Sequence, residues 1–287
     1  MKVGIISDSS SCLEYAPFKH NIKIARTSIF IDDNEYIDGV DINAHEFYNK
    51  IKNLNFVPST SAPTIGRILE KIDELKSEGC TDILYFPISF NLSDYGKNLS
   101  NVLNDIIVDT NIHVINSNLA CIMEGLLAKY AEELIKRNYS IEEIKVETNN
   151  FINSVNTYFV VDDLNFLIKN GRLNFVSGFV GNLIKIKPIL TLDHNGEIKT
   201  LEKVRTTKRA IERIINLSIE KNKPNLLYIV LHSNDELISN QVKEQIICAT
   251  NNKNKVITSI ITPTIGAHVG GGVIGVATID LDNLRIN

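Results

Sequence analysis

The stretch PTIGRILEKIDELKSEGCTDILYFPI, residues 63–88, decides the fold class. Ile65, Ile68, Leu69, Ile72 and Leu75 recur at helical spacing on one face, with Pro63 near the first turn and Gly79 just past the end. The run Asp82–Ile88 that follows is short and almost wholly apolar, the mark of a strand buried on both faces. Working outward, Lys2–Ile6 reads as a preceding strand and Ile112–Ile115 as a following one. Leu99, Val102, Leu103, Ile106 and Ile107 mark a second helix, and Leu119–Lys136, rich in Leu, Ala and Glu, a third. Strand-then-helix repeats of this kind predict an α/β chain whose N-terminal part is a mainly parallel sheet with flanking helices.

The texture changes near Asn156. A strand at Tyr158–Val161 is followed by a hairpin of Lys187–Leu192 and Glu197–Val204, turned by His194-Asn195-Gly196, because Asn-Gly tolerates the positive φ of a tight turn. Helices at Lys208–Lys221 and Asp235–Ala249 flank a strand at Leu226–Leu231. This C-terminal part reads as α+β with a mixed or antiparallel sheet. A chain of 287 residues is long enough for two domains, placed at 1–155 and 156–287 with a ligand cleft between them.

Composition narrows the function. With 44% hydrophobic and 22% charged residues the chain has the balance of an ordinary globular protein. Its net charge of −4, with both signs mixed along the chain, offers no basic stripe for a phosphate backbone, so no nucleic-acid partner is expected. The first apolar run is shorter than a signal-peptide core, and no apolar stretch reaches the roughly 18 residues of a membrane span. A cytoplasmic location is the expectation. Cys12, Cys80, Cys121 and Cys248 are far apart and lack a histidine at ligand spacing, which predicts buried free thiols and no metal.

Junctions that lead from strands into helices bind ligands in α/β proteins, because free helix N–H groups point out of the sheet there. Two are rich in hydroxyls: Pro58-Ser59-Thr60-Ser61-Ala62-Pro63, and Ser89-Phe90-Asn91-Leu92-Ser93. Such hydroxyls form a neutral but donating anion site without a buried lysine or arginine. On spacing alone Ser61 and Ser93 read first as helix N-caps and Thr60 as turn filler, and Ser7-Asp8-Ser9-Ser10-Ser11 as a further hydroxyl cluster or a plain turn. Near the end, Gly270, Gly272 and Gly275 match G-x-G-x-x-G only formally, with too little chain after them for a dinucleotide site. Backbone passing close to a ligand or another element explains them better. His268 beside them reads either as an anion donor or as a structural histidine. The phosphate loop, the nucleophile elbow and the zinc-helix motif are all missing.

Taken together, Ser7-Asp8-Ser9-Ser10, Thr60-Ser61-Ala62-Pro63, Leu92-Ser93, Asn170-Gly171-Arg172-Leu173, Lys203-Val204-Arg205-Thr206 and Gly266-Ala267-His268-Val269-Gly270 resemble the DegV family of bacterial fatty-acid-binding proteins. The resemblance implies a lipid-binding carrier, not an enzyme, that holds a long-chain fatty acid as its ligand and needs no cofactor. It presents the carboxylate to a separate ATP-dependent fatty acid kinase subunit, which makes an acyl phosphate, and touches membranes only transiently. On this resemblance Thr60 and Ser93 hold the carboxylate, Ser61 caps the adjoining helix and His268 closes the site. Lys203 and Arg205 resemble the family's kinase-facing patch; an exposed charged strand is the other reading. Two departures stand out. Asp94 follows Ser93 where the family has glycine, placing an acid beside the anion site, and Asn170 replaces the first of two glycines, which Asn tolerates through its access to positive φ. A phosphotransferase or hydrolase acting at the same hydroxyl-rich cleft is the alternative function.

Overall fold

The structure, a computed structural model, describes residues 2–52, 56–107, 109–173, 186–220 and 223–285. Strands β1 (Val3–Asp8), β2 (Lys23–Ala25), β6 (Asp82–Phe86) and β7 (Asn111–Val114) form a parallel sheet in the order β2-β1-β6-β7. Alternation along the strands sends Ile6, Ile83 and Tyr85 to one face, where they pack on helices α2 (Ile65–Ser77) and α3 (Tyr95–Ile106). Ile5, Leu84 and Phe86 point the other way, towards α4 (Ile122–Lys136) and α5 (Ile141–Ser154).

A second sheet has the order β10-β9-β8-β13-β11-β12, built from β8 (Val155–Val160), β9 (Lys187–Leu192), β10 (Ile198–Val204), β11 (Leu226–His232), β12 (Lys255–Ile260) and β13 (Ile274–Asp280). It is mixed: only β11 and β12 run parallel, and every other pair is antiparallel. Ile214, Tyr228, Val230, Val242 and Val276 pack its outer face on α7 (Thr207–Ile219) and α8 (Glu236–Ala249). Lys221, the last residue expected in α7, lies outside the described residues. The inner face joins the N-terminal sheet in one core, where Ile5, Leu84 and Phe86 cluster with Leu190, Ile229, Leu231 and Ile279.

A third, small sheet has the order β4-β3-β5: β3 (Ser28–Ile31), β4 (Asn34–Ile37) and β5 (Ser59–Ser61), all antiparallel. It packs with α1 (Ala44–Ile51) and α9 (Pro263–Val269) through Ile29, Ile31, Phe47, Tyr48 and Ala267. This sheet corrects one expectation. Thr60 does not sit at the carboxyl end of a parallel strand; it lies within β5, opposite Ile29.

The hairpin of β9 and β10 forms where expected, by a different turn. Gly196 alone has a positive φ, 75°, and its N–H donates to Asp193 O at 2.8 Å. The tip docks on the loop that follows β6, where Ser89 Oγ donates to Gly196 O at 2.8 Å and Asn91 Nδ2 to Asn195 O at 2.7 Å. A Cβ at 196 would overlap Ser89 Oγ and lie 2.8 Å from Asn118 Cα. Gly196→Ala is therefore expected to cost about 2 kcal/mol, read as a lower urea midpoint at unchanged slope. Three cysteines are buried as expected, but Cys248 is exposed.

Candidate functional site

Between the two large sheets lies a cavity of about 1030 Å³ including its mouth, with an overwhelmingly apolar wall. Leu231, Phe159, Leu192 and Ile198 line it from the six-stranded sheet, and Met123 from α4. Polar residues reach it from several segments, among them Asp8, Ser10, Thr60, Ser93, Arg172 and His268.

Thr60 and His268 meet directly, with Thr60 Oγ1 2.8 Å from His268 Nε2. The contact joins sequence positions 208 residues apart. Burial, and after it the nearby Arg172 charge, lowers the His268 pKa to about 4, so the ring is neutral at pH 7. Its Nδ1 is buried without a hydrogen-bond partner among the described residues. His268 occupies the last turn of α9. The start of that helix is held by a distant side chain: Asp38 accepts from Thr264 N at 2.9 Å and from Thr264 Oγ1. Asp38 is fully buried, and burial raises its pKa to about 7.

Ser93 lies in the loop between β6 and α3, its N–H donating to Ser89 O at 3.1 Å. It is not a helix cap: Asp94 precedes α3 and makes no side-chain cap bond. Asp94 is exposed and does not line the cavity, which removes the charge conflict posed by its sequence position. Ser61 departs from expectation on both counts. Thr64 caps α2, accepting from Arg67 N at 3.3 Å, while Ser61 is exposed and outside the cavity wall. A three-residue strand ends at Ser61 and its side chain points away, because alternation turns Thr60 inward.

Residue-level reading missed Arg172 as a site residue, expecting an anion site without a cation. Its Nε donates to Leu92 O at 3.1 Å and its Nη1 to Asn170 O, tying the guanidinium to the loop that carries Ser93. Asn170 has an ordinary φ of −85°, so its tolerance does not rest on a positive φ. Its side chain instead donates to Phe166 O at 3.0 Å and to Ala267 O at 3.1 Å, bridging α6 (Asn165–Lys169) to α9.

The Ser7–Ser11 cluster is a turn and also part of the wall. Asp8 accepts from Ser10 N at 2.8 Å and Ile88 N at 3.2 Å, and from the Ser10 and Tyr95 hydroxyls. Ser10 Oγ also lies 2.6 Å from Glu124, which is wholly buried. One hydroxyl proton cannot serve both carboxylates, so the pair retains a proton. Burial raises the pKa of both carboxyls, and that of Glu124 is pushed far up by burial and then by the Asp8 charge. Lys203 in β10 and Arg205 just after it are exposed on an edge strand, away from the cavity wall.

A family model described as "Uncharacterised protein, DegV family" matches residues 2–281. The chain belongs to the DegV family. A DegV domain-containing protein of Staphylococcus aureus (strain COL) is 30% identical over 283 residues, which is 97% of this chain and 98% of the relative. Among solved structures, DegV of Bacillus subtilis, described as a fatty acid binding protein, superposes with a TM-score of 0.86 at 28% identity, covering 98% of this chain and 99% of that one. The Fak B3 protein of Streptococcus pneumoniae, solved loaded with linoleic acid, has a TM-score of 0.81 over 98% of this chain and 100% of that one. At 20% identity that likeness is one of DegV fold alone. No helix among the described residues is long and apolar enough to cross a membrane.

Proposed function

We propose that this DegV protein is a cytoplasmic carrier that buries a long-chain fatty acid between its two large sheets. The carboxylate is held at Thr60, Ser93 and His268, with Arg172 as the countercharge. The observation that carries the reading is a large apolar cavity into which polar groups converge from separate segments, the form expected of an amphipathic ligand site. Neutral donors and one guanidinium suit a monoanion. A sixteen-carbon tail offers on the order of fourteen methylenes at about 0.8 kcal/mol each, so the tail dominates affinity and the head contacts orient it.

The decisive experiment is to denature protein purified from cells, extract it and identify the lipid by mass spectrometry. About one acyl chain per protein is expected; an empty extract, with no rise in melting temperature on adding fatty acids, would overturn the proposal. Thr60→Ala and Ser93→Ala are each expected to weaken binding by roughly fivefold, the loss of about one hydrogen bond. Presentation to an ATP-dependent kinase subunit is the finer part of the proposal, with Lys203 and Arg205 as its contact. It requires that the isolated chain form no acyl phosphate from ATP and Mg²⁺, and that added kinase subunit restore the reaction.

A further inference from the structure

The Gly-rich segment is only partly explained by the carboxylate site. Gly270 and Gly272 have positive φ and close against Phe166 and Asp162. Gly275 is different: it lies inside β13, with no positive φ and no turn to make. Glycine within a strand weakens it, and commonly marks a place where a ligand or another backbone comes close. The alternation of β13 puts Gly275 on the same face as Ala277 and Ile279, which belong to the inner core, while Ile274 and Val276 face outward. Gly275 pairs with Phe159 on one side and Leu231 on the other, and all three line the cavity.

Five adjacent strands contribute to the cavity floor: Ile198 from β10, Leu192 from β9, Thr157 and Phe159 from β8, Gly275 from β13 and Leu231 from β11. Four inter-strand steps of about 4.8 Å give a floor roughly 19 Å across. An extended hydrocarbon advances roughly 1.25 Å per bond, so that width matches a chain of about sixteen carbons. The large side chains of Phe159 and Leu231 flank a missing one. A Cβ built at 275 has as its nearest atoms Phe159 Cβ at 3.2 Å, Tyr158 O at 3.4 Å and Leu231 Cβ at 3.5 Å, all from neighbouring strands. Any larger side chain there would rise from the sheet into the cavity.

We infer that Gly275 determines acyl-length specificity: its bare backbone forms the gap in the floor over which a long tail crosses the sheet. The inference rests on the fatty-acid reading of the cavity. A branched side chain at 275 divides the floor, so that short acids keep their burial and long ones lose theirs.

The test uses delipidated full-length protein, displacing a fluorescent fatty acid with saturated acids of about eight, twelve, sixteen and eighteen carbons. The native protein is expected to bind more tightly as the chain lengthens, up to about sixteen carbons. Gly275→Val should bind the shortest acid within about twofold of native and lose on the order of tenfold for each two methylenes denied burial. Gly275→Ala, with a single methyl 3.2 Å from Phe159 Cβ, should show the same trend more weakly. It decides the matter if thermal melting shows the valine variant misfolded. An unchanged length profile, or an equal loss at every length, overturns the role of Gly275. If the native protein binds no acyl chain at all, the fatty-acid reading fails and this inference falls with it. Native binding with indifferent variants sinks the inference alone.

Discussion

Between about pH 4 and about pH 8, the Asp38→Asn variant is expected to gain on the native chain by about 4 kcal/mol of folding stability. Asp38 titrates near 7 in the fold against 3.8 as its ordinary value, because burial outweighs the two hydrogen bonds from Thr264. The folded state therefore holds an extra proton between those values. What this group contributes is full below about pH 3.8 and is lost as the pH rises through 7. His268 acts in the opposite sense. Lowered from 6.5 to about 4, its contribution is present above pH 6.5 and lost as the pH falls. The native curve alone mixes the two, whereas the difference between native and variant isolates Asp38. The Asn amide oxygen still accepts from Thr264 N, so the start of α9 stays held while the cost of a buried anion disappears. Urea unfolding across the pH range checks this. Parallel stability curves for the two proteins would show that Asp38 does not titrate in this window.

Arg172→Ala is expected to weaken fatty-acid binding by on the order of a hundredfold, the loss of a charge-assisted contact in a water-poor site. Two effects combine. The ligand loses its countercharge, and the loop bearing Ser93 loses the bond from Nε to Leu92 O. A second readout is independent of affinity. The Arg172 charge is one of the two causes that depress His268, so its removal should move the histidine pKa upward in an NMR titration, with burial still holding it below normal. Arg172→Lys keeps the charge without the planar fork and should fall between the two. An alanine variant that binds as native does would place the carboxylate away from Arg172.

The elements legible in the sequence were those whose signal is local. α2 shows its apolar stripe within two turns, and β6 is a run of five buried residues. β9 appears at its full extent because its apolar run stops at the turn residues Asp193 to Gly196. β5 could not be seen: three hydroxyl residues carry no pattern, and they form a strand only by pairing with β3. α9 is seven residues long, begins with Pro263, and depends on Asp38 from 226 positions away. α1 and α5 are the avoidable omissions, since Asn43 with Glu46 and Ser140 with Glu143 form capping boxes ahead of buried apolar residues. At the site, Thr60, Ser93 and His268 all line one cavity. Arg172 was seen only as part of the Asn170–Leu173 motif and given no ligand role, because it is the fold that brings it against Leu92 and the cavity.

The single inner core has a bearing on dissection of the molecule. A fragment ending near residue 155 would still contain a complete parallel sheet, yet Leu84 and Phe86 would lose the partners that Leu190, Ile229 and Leu231 provide. Released from the rest, that half would offer a greasy face to water and associate with itself rather than dissolve. The two halves must therefore be made together, and binding studies belong on the intact polypeptide.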